Sequence, residues 1–340
     1  MTNLPDARMS IARGEEWRPT VAVVVPVLNE ADYIERCLAS VRAQDYPAEL
    51  VEILVADGGS TDATRQIVGA MAEADPRIRL LDNPGRNQAA GLNRAIAASS
   101  GEVVARLDGH AEWRPWHLTR CIALLGETGA DNVGGTMEAT GETDTGEAIA
   151  RATSSAFGVG GAGYRYATQQ MDTDTVWLGC FRRVALERAG PYNESFSPHE
   201  DYELNHRIRA GGGRIVFSPD IPTRYWARST WASFLRQYFR YGRAKARVAR
   251  ESPGVVRPHH LVPPALVAGV ALGMLSGRTR RFVGAAAISY SLACVAASIP
   301  AGDGASPKVR LRIPPAFAAM HLSWGAGFWA GQLERLTSPR

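Results

Sequence analysis

Acidic residues stand where apolar runs give way to glycine or to a helix signal. They are Asp57 in Ala56-Asp57-Gly58-Gly59-Ser60-Thr61-Asp62, Asp108 in Leu107-Asp108-Gly109-His110, and Glu200-Asp201 in His199-Glu200-Asp201-Tyr202-Glu203-Leu204. Carboxylates at strand ends gather along one edge of a parallel sheet, where α/β proteins bind nucleotides. At such an edge Asp57 accepts a hydrogen bond from a uracil imide or a ribose hydroxyl; the alternative is a turn-forming Asp before a capped helix. Asp62 reads as a first-turn residue facing the helix dipole. Asp108 and His110 together offer oxygen and nitrogen donors suited to Mn²⁺ or Mg²⁺. A cation there would neutralise charge on a nucleoside diphosphate leaving group; the alternative is an Asx-turn beside a surface His. Asp201 opens a helix, whose positive end would keep it ionised as a general base for an acceptor hydroxyl. Helix capping is the plainer reading. Glu203 and Arg207, at four-residue spacing, read as a supporting ion pair.

Alternating elements must position these groups. Residues 21–25 form a continuous apolar strand, and 31–42 carry Ile34, Leu38 and Val41 at helical spacing. A strand over 51–56 follows, then a helix over 62–74 capped by Ser60 or Thr61. A short strand at 78–81, a helix at 89–99 and a strand at 102–107 complete a β-α-β-α-β-α-β series, the mark of a parallel sheet with helices on its faces. The first strand runs into Val25-Pro26-Val27-Leu28-Asn29-Glu30 with no GxGxxG, which excludes a dinucleotide domain. Helices are expected over 116–126, 184–189 and 202–210 and a strand over 214–217, while the Gly-, Thr- and Ala-rich 138–163 reads as a long mobile loop.

With 340 residues, 45% hydrophobic and 21% charged, the chain buries a full core and is not disordered. Its net charge is only +4, and the basic residues concentrate between Arg224 and Arg257, where Glu251 is the single acid. That local stretch suits anionic lipid or an anionic substrate, and nucleic acid is not the expected partner. Cys37, Cys121, Cys180 and Cys294 are scattered, without zinc-site spacing, and read as reduced, buried thiols of a cytosolic compartment. The polar N-terminal stretch holds no apolar h-region, so no signal peptide is expected.

The last third differs. Residues 261–277, 282–302 and 313–333 contain no Asp, Glu, Lys or Arg, in runs of 17, 21 and 21. A spanning helix needs about 20 apolar residues, so membrane insertion or close membrane association is expected, with at least the Pro263-Pro264 run re-entrant or interfacial. If all three spanned, Arg278, Arg280 and Arg281 would face the side opposite to Lys308, Arg310 and Arg312, against the positive-inside bias. Just before them, Trp231, Phe234, Tyr238 and Tyr241 recur at helical spacing among Arg236, Arg240, Arg243, Lys245, Arg247 and Arg250. That pattern predicts an amphipathic helix in the headgroup layer; the alternative is a helix packed on protein with a solvated basic face.

Taken together, the motifs resemble the family 2 glycosyltransferases. The matching stretches are Val23–Glu30, Val55–Asp62, Asn83–Asn93, Leu107–His110 and Gly190–Phe196 through Leu204, in the family order over some 190 residues. The whole chain looks most like the succinoglycan-synthesis branch. The resemblance implies a GT-A fold, a Rossmann-like mixed sheet flanked by helices and followed by hydrophobic membrane-associated helices. The implied division is a leader at 1–18, a catalytic domain at 19–225, an amphipathic region at 226–258 and membrane-associated helices at 259–340. It implies an inverting hexosyltransferase that uses a UDP-sugar and a divalent cation and acts on a lipid-linked or polysaccharide acceptor at the cytoplasmic membrane face, held there by membrane lipids. By the same resemblance Asp57 holds the nucleotide base with Pro26, Leu28, Glu30 and Arg86, and Asp108 holds metal and diphosphate. Asp201 is the base, with Glu200 beside it. His110 stands where the family's second metal-site Asp falls. Gln237-Tyr238-Phe239-Arg240-Tyr241 is similar to the Q-x-x-R-W element of processive synthases, which assigns Gln237 and Arg240 to diphosphate and acceptor. The rival readings are a sugar-phosphate nucleotidyltransferase and a degenerate scaffold in a membrane assembly.

Overall fold

The computed structural model describes residues 17–196, 198–251 and 256–337, and most of the expected leader lies outside them. Strand β1 (Val21–Val27) has every residue buried, as an unbroken valine-rich run must when both faces of a sheet are covered. It pairs in parallel with β2 (Val51–Asp57) and β4 (Val103–Arg106), and β2 pairs with β3 (Ile78–Asp82). Helices α1 (Ile34–Arg42), α2 (Thr64–Ala74) and α3 (Gln88–Ala98) make the crossovers. Ile34, Leu38 and Val41 are buried on α1 at the expected spacing, together with Cys37. The register sets Val27, Asp57 and Asp82 side by side, so the carboxyl ends of three strands form one edge.

Past β4 the sheet becomes mixed. The elements are β5 (Ala111–Trp113), α4 (His117–Thr128), β6 (Asn132–Thr140), α5 (Asp144–Thr153), α6 (Ala156–Val159), β7 (Met171–Asp172), β8 (Trp177–Arg182), α7 (Arg183–Ala189), α8 (Glu200–Ala210) and β9 (Ile215–Trp226). Strand order is β3-β2-β1-β4-β8-β6-β9-β5, with β7 on β9 and β8 antiparallel to β4. This is the mixed α/β sheet flanked by helices that the motifs predict. The strand expected at 214–217 runs on to Trp226. The four cysteines are free and buried.

Two compact units emerge. One comprises Met1–Met137 and Ala167–Tyr225; the other comprises Glu138–Tyr166 and Trp226–Arg340. The expected mobile loop at 138–163 is instead the end of β6 followed by α5 and α6. Thr143 caps α5 by accepting from the Gly146 amide, and Ala148, Ile149 and Ala152 are buried. Small residues read as a loop in sequence, yet they let a helix pack closely. The cap expected from Ser60 or Thr61 also differs. The Asp62 carboxylate accepts from the Thr64 amide at 3.0 Å at the start of α2, while the Ser60 hydroxyl accepts from the Asn29 amide at 2.8 Å.

The second unit is built on α9 (Trp231–Glu251), α10 (Val262–Gly273), α11 (Gly277–Ala301) and α12 (Pro307–Thr337). The aromatic stripe of α9 does not face outward, as the interfacial reading expected. Phe234 and Tyr238 are buried, with rings 4.8 Å apart, and α9 packs along α12. The seam is close because Gly242 lies on the Trp324 carbonyl and Gly327 on the Phe239 carbonyl, where a Cβ would collide. Of the apolar runs, the first forms the 12-residue α10, and the third is largely covered as part of α12, with Ile313, Phe317 and Met320 buried. Among the described residues only α11 is long and apolar enough to cross a membrane.

Candidate active site

The first unit brings the motif residues to the carboxyl edge of its sheet. Gly58 stands between three of them: a Cβ there would lie 3.5 Å from the Val27 carbonyl, 3.6 Å from Leu28 and 3.5 Å from the Arg86 backbone. The Arg86 guanidinium approaches Gly59, at 3.8 Å from an ideal Cβ. The Val27-Leu28 stretch, the Gly58-Gly59 turn after Asp57 and Arg86 therefore lie together. Asn29, Arg86 and His199 all adopt positive φ (56°, 54° and 98°), an uncommon conformation for non-glycine residues that tends to cluster at functional sites.

Asp57 itself is turned inward. Its side chain accepts from the Gly59 and Ser60 amides at 3.0 and 3.1 Å and from Arg65 Nη1 at 2.8 Å. Burial alone would raise its pKa, but the hydrogen bonds from Ser60, Arg65 and Gly59 outweigh it and hold the carboxyl below the usual range.

Asp108 follows β4 and is held on one oxygen. Gln88 Nε2 donates to Oδ1 at 2.9 Å and Arg106 Nε at 3.2 Å, and among the described residues no hydrogen bond falls on Oδ2. His110 Nδ1 lies 2.8 Å from Glu30 Oε1. Glu30, read from sequence as a nucleotide contact, thus orients His110, the role carboxylates play behind metal-ligating histidines. Gly109 permits this approach, since a Cβ would meet Glu30 Cγ at 3.1 Å. Among the described residues no three His, Cys, Asp or Glu side chains form a ready cation cage. A divalent cation held by this set would draw most of its ligands from phosphate oxygens, as Mg²⁺ commonly does: Asp108 Oδ2 accepts no hydrogen bond among the described residues, and His110 follows two residues on, held by Glu30.

The residue that sequence reasoning missed is Arg106. Its buried guanidinium donates from Nε to Asp108 and lies, at Nη2, 3.1 Å from Glu200 Oε1. Burial opposes its charge, but Asp108 and Glu200 raise its pKa well above the ordinary value. It belongs to an apolar-looking strand, Val103-Val104-Ala105-Arg106, and a charge inside such a strand is the signal that could have found it. Glu200 and Asp201 start α8 as expected, and the predicted Glu203–Arg207 pair forms at 2.8 Å. Arg207 also donates to the Pro191 carbonyl at 2.8 Å. Asn93 on α3 clamps the same segment, accepting from the Tyr192 amide at 2.8 Å and donating to its carbonyl at 2.9 Å. Gln237 and Arg240 lie on α9 in the other unit, where Gln237 donates to the Tyr241 hydroxyl at 3.0 Å and Arg240 is exposed.

A domain model for glycosyl transferase family 2 matches residues 22–189. Succinoglycan biosynthesis protein ExoA of Rhizobium meliloti (strain 1021) is 32% identical over 317 residues, covering 92% of this chain and 94% of that protein. Glycosyltransferase AglE of Haloferax volcanii is 30% identical over 243 residues, covering 68% of this chain and 74% of that protein. Among solved structures, the mannosyltransferase PcManGT from Pyrobaculum calidifontis, in complex with GDP-Man and Mn²⁺, is similar with a TM-score of 0.61. The match covers 94% of this chain and 88% of that one, and at 23% identity it establishes a shared fold.

Proposed function

The chain belongs to the family 2 glycosyltransferases, and from that premise we propose that it transfers one sugar, with inversion, from a UDP-sugar to a lipid-linked or polysaccharide acceptor at the cytoplasmic face of a membrane. The observation that carries this reading is Arg106, buried between Asp108 and Glu200. One guanidinium ties the residue assigned to the donor diphosphate to the start of the helix that bears the assigned base.

The Pro26–Glu30 loop, Asp57 and Arg86 receive the nucleoside. A divalent cation, when bound at Asp108 with His110 beside it, supplies positive charge to the leaving diphosphate. Asp201 takes the proton of the acceptor hydroxyl. The acceptor oxygen bonds to the anomeric carbon from the face opposite the diphosphate, while the bond to the diphosphate oxygen breaks and its electron pair leaves with that oxygen. Inversion follows from this single displacement, which needs one base and no enzyme nucleophile. Gln237 and Arg240 are assigned to diphosphate and acceptor. The apolar C-terminal helices keep the enzyme near a membrane-borne acceptor.

Calorimetric titration of the detergent-purified protein with UDP and with GDP, each with and without Mn²⁺, tests the donor assignment. Mn²⁺-dependent UDP binding is expected. Preference for GDP would overturn the UDP assignment, and binding of neither nucleotide by folded protein would overturn the whole reading.

A further inference from the structure

Helix α11 presents an apolar surface with almost nothing on it. Phe282, Ile288, Leu292 and Ile299 are each more than 60% exposed, and no Asp, Glu, Lys or Arg occurs from Phe282 to Ala301. Neighbouring α10 exposes Leu272, and Leu275 follows it, 80% exposed. An apolar area of this extent does not rest in water. Basic residues flank α11 at both ends, with Arg278, Arg280 and Arg281 in its first turns and Lys308, Arg310 and Arg312 beyond its last.

An upright, membrane-crossing α11 conflicts with its own unit. The chain enters α10 from His259, whose ring lies against Gly160 and Gly161, and leaves α11 at Ala301, whose carbonyl accepts from Arg151 at 3.2 Å. Arg151 lies on α5 and Gly160 just past α6, so α10 begins and α11 ends beside the same pair of neighbouring helices. The outward leg, α10, has 12 residues and is about 18 Å long, against a hydrocarbon core of about 30 Å. Both helices lie on α12, whose other neighbours include α9, α5 and α6. Along α12, α9 carries the exposed Arg236, Arg240 and Arg243, with Gly327 on the Phe239 carbonyl and Gly331 on the Arg243 carbonyl. A bilayer enclosing α11 from end to end would take that charged flank into hydrocarbon. It would also place the two basic clusters on opposite sides, against the positive-inside bias.

A helix lying in the plane of the bilayer meets none of these conflicts. We propose that α10 and α11 form an in-plane anchor inserted in a single leaflet of an anionic bilayer, with both basic ends of α11 at the headgroups of the same side. The proposal rests on the membrane-associated reading above and replaces a spanning topology by a monotopic one. The apolar surface of α11 enters the acyl layer, α12 seats it from above, and the arginines meet lipid phosphates.

Cysteine accessibility in inside-out membrane vesicles, from cells producing the full chain, tests it. Gly277→Cys, where a Cβ meets nothing within 4 Å, and Asp303→Cys, at an exposed position, mark the two ends of α11. The four native thiols are buried, and the unsubstituted protein gives the background. Both sites are expected to react with a membrane-impermeant maleimide to the same extent before and after detergent. Reaction of either site only after detergent would mean that α11 spans, and would overturn the proposal. In a second measurement, the purified protein should co-sediment with phosphatidylglycerol vesicles, and L292E combined with I299E should abolish this while UDP binding persists. Absence of co-sedimentation by the unsubstituted protein would overturn the anchor and leave the glycosyltransferase reading standing; loss of UDP binding in that protein would do the reverse.

Discussion

Arg106 Nη2 stands 3.1 Å from Glu200 Oε1, with the two side chains only 5% and 3% exposed. Arg106 Nη1 and Glu200 Oε2 are buried and find no hydrogen-bond partner among the described residues. A buried ion pair left partly unsatisfied contributes little net stability, yet losing one member is costly because the other charge stays behind. The arrangement holds the start of α8 against the end of β4.

Arg106→Met should therefore destabilise the protein by about 3–5 kcal/mol, since it leaves Asp108 and Glu200 without their cation. Urea unfolding of the variant against the unsubstituted protein measures this directly. An unchanged midpoint would mean that the pair holds nothing together.

Burial pushes the Glu200 carboxyl up from 4.5 to about 7, with Arg106 opposing the shift and Asp201 adding to it. A carboxyl whose pKa is raised on folding contributes stability that is fully present below about 4.5 and lost as pH rises through about 7. The stability of the unsubstituted protein minus that of Glu200→Gln should thus fall between pH 5 and pH 8 on the scale set by that shift. Denaturant titrations of both proteins at each pH give the difference, and a flat or rising curve would remove the assigned cause.

Asp201→Asn keeps the shape of the α8 start and removes the proposed proton acceptor. Transfer should drop by about 10²–10⁴-fold, the usual contribution of a positioned base, with nucleotide affinity preserved. Initial rates and calorimetry on one preparation separate the two effects. Weak nucleotide binding with normal turnover would contradict the assignment.

At the proposed metal position, Asp108→Ala should erase the Mn²⁺-dependent part of nucleotide binding. Gln88→Leu, which frees Oδ1 of one of its two hydrogen bonds, should weaken it less. Titrating Mn²⁺ into each variant at fixed UDP tests the order. Equal metal dependence in Asp108→Ala and the unsubstituted protein would exclude Asp108 as a ligand.

Much of the first unit was legible because its signals are local. Continuous apolar runs such as Val21–Val25 fit a strand covered on both faces, and Ile34, Leu38 and Val41 mark one helical stripe. Strand-end carboxylates and glycine turns are likewise written in neighbouring residues, which is why Asp57 and Asp108 could be placed at strand ends and Glu200 and Asp201 at a helix start. The second unit was harder. Residues 138–163 carry small side chains whose helical role depends on close packing with partners far along the chain. The aromatics of α9 look alike in sequence whether lipid or α12 covers them.

The amino-acid sequence by itself determined the α/β alternation, the order of the motifs and the identity of the acidic groups, because period and strand-end chemistry are properties of short stretches. Tertiary structure decided which groups share a charge and which faces remain open. It joined Asp108 to Glu200 through Arg106 and turned Glu30 toward His110, and it covered α9 while leaving α11 bare. Those outcomes depend on burial and on contacts between residues tens to hundreds of positions apart, and no local pattern encodes such distances.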